Sequence, residues 1–340
     1  MEYRVLGSTG VKVSALCLGT MMYGAWGNND HDDSVAIIHR ALDAGINFVD
    51  TADVYSRGES EEIVGKALKG RRDRVVLATK VHGQMGDDPN ERGNSRRWII
   101  QECEVSLRRL GTDWIDLYQI HRWDHDTGHD ETLGALTDLV RAGKVRYLGS
   151  STYPPSEIVA AQWVAKKRGR ERFVCEQPPY SMLVRGVEAE VLPVCMEYGM
   201  GVIPWGPLAG GWLTGRWRKG QEPPKSTRAE RLPERYDLSL PGNQRKLEAA
   251  DALAVLAEEA GLSLIHMALA FVLNHPAVTA AIIGPRTMEQ LESQLGAVDV
   301  PLDGALLDRI DAIVPPGTNF SLADAGWTPP AIADAKLRRR

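Results

Sequence analysis

FVDTADVY (residues 48–55) decides the fold: a short apolar run stops at the carboxylate Asp50, and a tyrosine, Tyr55, follows five residues later. A buried strand does not tolerate an unpaired charge, so such a run ends where the chain reaches a rim with work to do. Working outward, VVLATK (75–80) stops at Lys80 and LYQIH (117–121) at His121 in the same manner. In a parallel β/α barrel all strands end on one rim, where active sites are built. Asp50, Tyr55, Lys80 and His121 are therefore expected to point into one pocket.

The alternation of apolar run and helical stretch continues along the chain. Residues 16–18 precede a helix over 32–44, 48–50 one over 60–68, 75–80 one over 95–110, and 115–119 one over 131–142. Residues 147–149 precede 156–168, 174–176 precede 188–198, 202–205 precede a long insertion and then 247–259, and 280–283 precede 288–295. This is the count of a closed (β/α)8 TIM barrel. Glu61 and Glu62 after Ser60 put negative charge at the positive end of a helix dipole. Gly45, Gly111, Gly143 and Gly199 each follow a helical stretch, where a left-handed cap needs glycine.

Residues 3–14, two β-rich pieces around GSTG, read as an N-terminal β-hairpin plugging the barrel bottom. Segments 81–93 and 207–244 are long rim loops rich in Gly, Pro and charge, and 319–340 is a tail ending in Arg338, Arg339 and Arg340. The whole chain, 1–340, reads as one domain.

A hydrophobic fraction of 43%, 25% charged residues and a net charge of −5 describe an ordinary soluble protein with no basic nucleic-acid surface. The N-terminus lacks an apolar core of signal-peptide length, and no run approaches the roughly 20 apolar residues of a membrane span. Cys17, Cys103, Cys175 and Cys195 are scattered without a Cys-x-x-Cys pair, which points to a reduced, cytoplasmic setting. The expected partner is a small-molecule substrate, with neither nucleic acid nor membrane; a homo-oligomer stays open.

The four rim residues suit proton donation. A tyrosine hydroxyl is a poor acid at neutral pH, and an ammonium beside it favours its phenolate. Asp50 would keep Lys80 charged, and His121 would donate a hydrogen bond to a substrate carbonyl or tune Tyr55. A general acid aimed at a carbonyl, with no nucleophile required, suits reduction by an external hydride. A lysine ending a barrel strand has a rival use, forming a Schiff base with a carbonyl substrate. The residues alone leave that alternative open.

GINFVDTADVYSRGESEEIVGKAL (45–68), LGTM (18–21) and IIGPRTMEQL (282–291) resemble the aldo-keto reductases, and the resemblance spans nearly the whole chain. It implies a barrel that binds NADP(H) in an extended pose, with Asp50, Tyr55, Lys80 and His121 as the catalytic tetrad. Tyr55 would then protonate the carbonyl oxygen while the nicotinamide delivers hydride. ERGNSRRWI (91–99) and CEQ (175–177) look like the branch that holds bacterial reductases and potassium-channel β-subunits. A cofactor-sensing regulatory subunit is thus a second reading, although the channel subunits carry Asn where this chain has His121.

No G-x-G-x-x-G follows a strand, so a Rossmann fingerprint is absent. The resemblance instead implies a cofactor site made of Thr20, Met21, Asp50, Ser151, Gln177, Trp205, Gly206, Pro207, Leu208, Arg216, Gly284, Arg286, Gln290 and Gln294. Ser151 and Gln177 would hold the carboxamide, and Trp205 would stack on the nicotinamide. Pro207, Leu208 and Arg216 would meet the phosphates, and Gln290 the adenine side. Thr152 stands where relatives have Asn, Gly206 where Ser is common, and Ser293 and Gln294 where they have Glu and Asn. Gly284 ends the eighth strand and a helix begins near Thr287, a phosphate-binding arrangement in which Arg286 would favour NADPH over NADH.

His121, His125 and His129 have helix-like spacing, but Asp124, Asp126, Gly128 and Asp130 make the segment a polar loop, and no metal is expected. Met21, Met22, Tyr23, Trp26, Trp123, Trp212 and Trp217 fall on rim loops, either lining an apolar pocket or packing beneath the loops.

Overall fold

The computed structural model describes residues 1–224, 227–328, 332 and 334–339. Arg340 and part of the insertion after residue 207 lie outside the described residues. β1 (Tyr3–Val5) and β2 (Lys12–Ser14) pair antiparallel, with Tyr3 opposite Ser14. Eight parallel strands follow: β3 (Leu16–Gly19), β4 (Phe48–Asp50), β5 (Val76–Val81), β6 (Ile115–Ile120), β7 (Val145–Ser151), β8 (Phe173–Gln177), β9 (Gly201–Val202) and β10 (Ala281–Ile283). Each pairs with its predecessor from β3 to β9, and β10 returns to pair with β3. Between β9 and β10 the ring closes through Thr279 N–H to the Val202 carbonyl (2.8 Å) and Ile282 N–H to that of Pro204 (3.0 Å). The chain is the expected (β/α)8 barrel with its N-terminal hairpin.

β9 is shorter than expected over 202–205, because Pro204 has no N–H to give the ladder. The chain nonetheless stays extended, since Ile203 N–H reaches the Glu176 carbonyl (3.0 Å) and Trp205 N–H that of Pro178 (3.0 Å).

Helices α1 (His31–Asp43), α2 (Glu59–Leu68), α3 (Arg96–Leu110), α4 (His129–Arg141), α5 (Pro155–Arg168) and α6 (Val191–Glu197) follow successive strands. Their ends obey local chemistry. Asp30 caps α1 by accepting from Asp32 and Asp33 N–H, and Ser95 caps α3 by accepting from Trp98 N–H. Gly111 closes α3 at φ +62°. The insertion holds the short α7 (Thr227–Arg231), and α8 begins at Pro241, six residues before the expected start (Pro241–Glu259). α9 (Leu264–Asn274) and α11 (Gly304–Ile313), on either side of β10 and α10 (Met288–Leu295), were not anticipated.

The core has two parts. Between strands and helices, β-branched and leucine side chains meet the apolar stripes of the helices. Inside the ring, Leu6 and Val13 of the hairpin pack with Cys17, Phe48, Leu117 and Cys175. Gly7 makes that plug fit. At φ +54°, any Cβ there would lie 2.7 Å from Gly201 N and 2.8 Å from the Val174 carbonyl oxygen. No single helix among the described residues is long and apolar enough to cross a membrane.

Candidate active site

The four rim residues do converge. Lys80 is fully buried at the end of β5, and its Nζ donates to Asp50 Oδ2 (2.6 Å), the Thr51 carbonyl (2.8 Å) and Tyr55 Oη (3.2 Å). Burial alone would lower the lysine pKa, but Asp50 and Tyr55 outweigh it and hold the ammonium above the ordinary lysine range. All three protons of the ammonium are thereby directed.

Asp50 Oδ1 accepts from Gln119 Nε2 (3.0 Å) and Gln177 Nε2 (2.9 Å). The buried carboxylate thus has three side-chain donors, which is what a desolvated charge requires. Gln119 was missed in the sequence because it lies inside the apolar run of β6; only its contact across the barrel distinguishes it.

His121 follows β6, with its N–H on the Val81 carbonyl (2.9 Å). Its ring stands edge-on to Tyr55, centroids 5.7 Å apart at 81°. Burial, with help from Arg122 and Lys80, pushes its pKa well below the usual histidine range. The imidazole is therefore neutral near pH 7, able to give one hydrogen bond without adding charge.

Arg122, the next residue, was not singled out in the sequence. It is half-buried, and its Nη1 donates to the His121 carbonyl (2.5 Å) and lies 3.4 Å from Ser151 Oγ. Glu176, fully buried, accepts from Ser150 Oγ (2.5 Å) and Tyr153 N–H (3.2 Å), and burial raises its pKa to about 7.

The remaining expected cofactor residues fall on the same rim with differing exposure. Ser151 ends β7, buried, and donates to the Gln177 carbonyl (3.0 Å). Trp205 is half-buried, and its Nε1 donates to Thr152 Oγ1 (3.2 Å). Thr152 sits at φ +56°, a conformation that strains a β-branched side chain and that Asn adopts more readily. Gly206 at φ +70° has open space beside it; Pro207 is buried and Leu208 half-buried. Ala209, Gly210 and Gly211 then take φ of +49°, +68° and +105°, and such turns make anion-binding concavities of backbone amides. A Cβ on Gly211 would meet exposed Arg216 at 3.8 Å, so that arginine stands over the turn.

Met21 and Arg286 are half-buried, and Gly284 and Gln290 exposed, on the far side of the rim. Thr287 caps α10, and Gln290 Oε1 accepts from Arg286 N–H (2.8 Å). Two of the expected positions are tightly packed. Thr20, directly after β3, is buried, its hydroxyl 2.8 Å from Ser60 Oγ and 3.2 Å from the Asp50 carbonyl. Gln294 is buried too, its amide donating to the Gln290 carbonyl (2.7 Å).

Of the rim aromatics, Trp26 approaches Tyr55 (centroids 6.1 Å) and Trp123 meets Trp327 edge-on (6.4 Å). Tyr23, Trp212 and Trp217 are buried instead; Trp212 and Trp217 stack at 3.8 Å, with Tyr236 beside them, inside the insertion. A cleft of about 250 Å³ runs from Thr152 past Pro179 and Val187 to Trp327, giving the site an apolar flank.

A model of the Aldo/keto reductase family matches residues 15–315. The uncharacterized oxidoreductase YrpG of Bacillus subtilis is 42% identical, the match covering 98% of this chain and 100% of the relative. Versiconal hemiacetal acetate reductase of Aspergillus parasiticus is 36% identical over 89% of this chain and 94% of its own length. A probable voltage-gated potassium channel subunit beta from rice is 36% identical over 92% and 97%.

Proposed function

The chain belongs to the aldo/keto reductase family, a family of oxidoreductases acting on carbonyl groups, and from that premise we propose that it reduces aldehydes or ketones to alcohols with NADPH, Tyr55 acting as general acid. The observation that carries this reading is the hydrogen-bonded line from Asp50 through Lys80 to Tyr55, with neutral His121 against the tyrosine ring. Lys80 stabilises negative charge on the Tyr55 oxygen as its proton leaves. His121 donates to the carbonyl oxygen and orients it for that proton. Asp50, held by Gln119 and Gln177, keeps Lys80 charged.

The cofactor's residues fit a dinucleotide. Trp205 supplies a flat aromatic surface beside Ser151, the glycine turn with Arg216 supplies amides and charge for phosphates, and Arg286 at the start of α10 supplies a planar guanidinium for a 2′-phosphate. When bound, the nicotinamide supplies the hydride. The Schiff-base reading is disfavoured by the Lys80 environment, since a nucleophilic amine must first lose a proton that here has three acceptors.

The test is direct. NADPH added to the protein quenches tryptophan fluorescence, and 4-nitrobenzaldehyde drives NADPH oxidation at 340 nm. Tyr55→Phe lowers kcat by about 10²–10⁴-fold, the range for losing a general acid, while NADPH still binds. Full activity in Tyr55→Phe would remove the tyrosine from the mechanism, and no NADPH binding would remove the reductase reading altogether.

A further inference from the structure

Arg122 is a cation in the site without an anion. Its Nη1 is occupied by the His121 carbonyl and the Ser151 hydroxyl, but among the described residues Nε and Nη2 have no hydrogen-bond partner and no carboxylate lies within ion-pair distance. Tyr55 and then Glu176 are the groups whose negative charge would favour it; the Glu176 carboxylate is turned to Ser150 Oγ and Tyr153 N–H.

A second guanidinium adds to the imbalance. Arg235 of the insertion lies 5.8 Å from the Trp205 ring centre, close enough to repel Arg122. Its contact with Asp324 is long, 3.9 Å, and the other oxygen of Asp324 is taken by Lys246 at 2.7 Å. A third, exposed Arg231, lies over Trp26, which itself leans on Tyr55. Arg122 and Arg235 are both partly withdrawn from water, and like charges so placed are unfavourable unless an anion sits between them. A guanidinium whose Nε and Nη2 edge is free matches a carboxylate or phosphate oxygen pair.

We infer that Arg122 anchors an anionic group of the substrate, so that the carbonyl compound this site takes carries a carboxylate or phosphate. The inference rests on the reductase reading above and deepens it. The cofactor is the other source of anionic oxygens, but Arg216 and Arg286, on separate elements, stand where its phosphates are expected. Arg122 instead adjoins His121 and Ser151, where the carbonyl and carboxamide are expected.

Matched substrates isolate the charge. With saturating NADPH, kcat/KM is measured for 4-carboxybenzaldehyde against its neutral methyl ester, methyl 4-formylbenzoate, and for succinic semialdehyde against methyl 4-oxobutanoate. The acid is favoured by about tenfold or more in at least one pair, as a charged hydrogen bond provides. Arg122→Gln brings that ratio near one, Arg122→Lys retains part of it, and the NADPH Kd from fluorescence stays within about twofold in both.

Equal turnover of acid and ester by the natural protein overturns the anion subsite while leaving the reductase intact; turnover of no aldehyde at all removes both. A loss shared equally by acid and ester in Arg122→Gln assigns the residue to structure alone. A weakened NADPH Kd with an unchanged ratio assigns the anion to the cofactor. Should Arg122→Gln not fold, Arg122→Lys and Arg235→Ala carry the same ratio test, and an unchanged preference in both overturns the inference.

Discussion

Lys80 has three protons and three acceptors, and that count separates two kinds of chemistry. A lysine poised as a nucleophile sits in apolar surroundings or beside another cation; this one sits against a carboxylate with 3% of its side chain exposed. The same geometry has a cost that mutation exposes. Lys80→Met leaves Asp50 charged, buried and short of its cation, which destabilises by about 3–5 kcal/mol. Combining it with Asp50→Asn removes the stranded charge and recovers a large part of that loss, because a neutral amide still accepts from Gln119 and Gln177. Urea midpoints of the two single variants and the double variant test this. A double variant less stable than Lys80→Met would mean that the carboxylate is not the strained partner.

The element that presents Tyr55 is a turn rather than a strand. Ser56 and Arg57 take φ of +48° and +56°, followed by Gly58 at +94°. Left-handed geometry in non-glycine residues costs about 1–2 kcal/mol each, so something must hold it. The Ser56 hydroxyl donates to the Tyr23 carbonyl (3.0 Å) and accepts from Trp26 N–H (3.1 Å), and Glu59 Oε2 accepts from Ala25 N–H (2.8 Å). The loop after β3 therefore clamps the tyrosine turn. Ser56→Ala keeps the strain and loses the clamp: kcat falls about tenfold through misplacement of Tyr55, and the melting temperature drops. Ser56→Gly regains part of the stability but not the rate. Steady-state kinetics and thermal melts of the pair check this, and an unchanged kcat in both would make the clamp purely structural.

This turn also marks how far reading the chain could go. The strand ends were legible because β-branched runs stopped at Asp50, Lys80 and His121, a local pattern. The clamp was not, because Ser56 meets Tyr23 and Trp26 across 33 and 30 residues. Gln119 was hidden likewise, its partner Asp50 being 69 residues away. LIHMALAFVLN, the sequence of α9, is apolar on nearly every face and has no stripe by which a helix is recognised. For Thr20 the hydroxyl contact with Ser60, 40 residues away, was equally out of reach of a local pattern.

At the scale of the whole molecule, the two ends of the barrel do different work. The rim gathers charge and strain; the bottom is closed by a hairpin whose Leu6, fully buried, joins Phe48 and Leu117 inside the ring. A barrel interior is packed rather than hollow, so its stability depends on that filling. Leu6→Ala opens a cavity that close-packed neighbours collapse into only partly, at a cost of about 2–5 kcal/mol. The lost leucine lies at the end opposite the tyrosine turn, and the native state keeps its ring of strands. The denaturant midpoint therefore falls with an unchanged slope, while KM for an aldehyde at 25 °C stays that of the natural protein. A midpoint that does not move would mean that the hairpin contributes nothing to the core. A shifted KM would show instead that the plug and the rim are mechanically coupled through the strands.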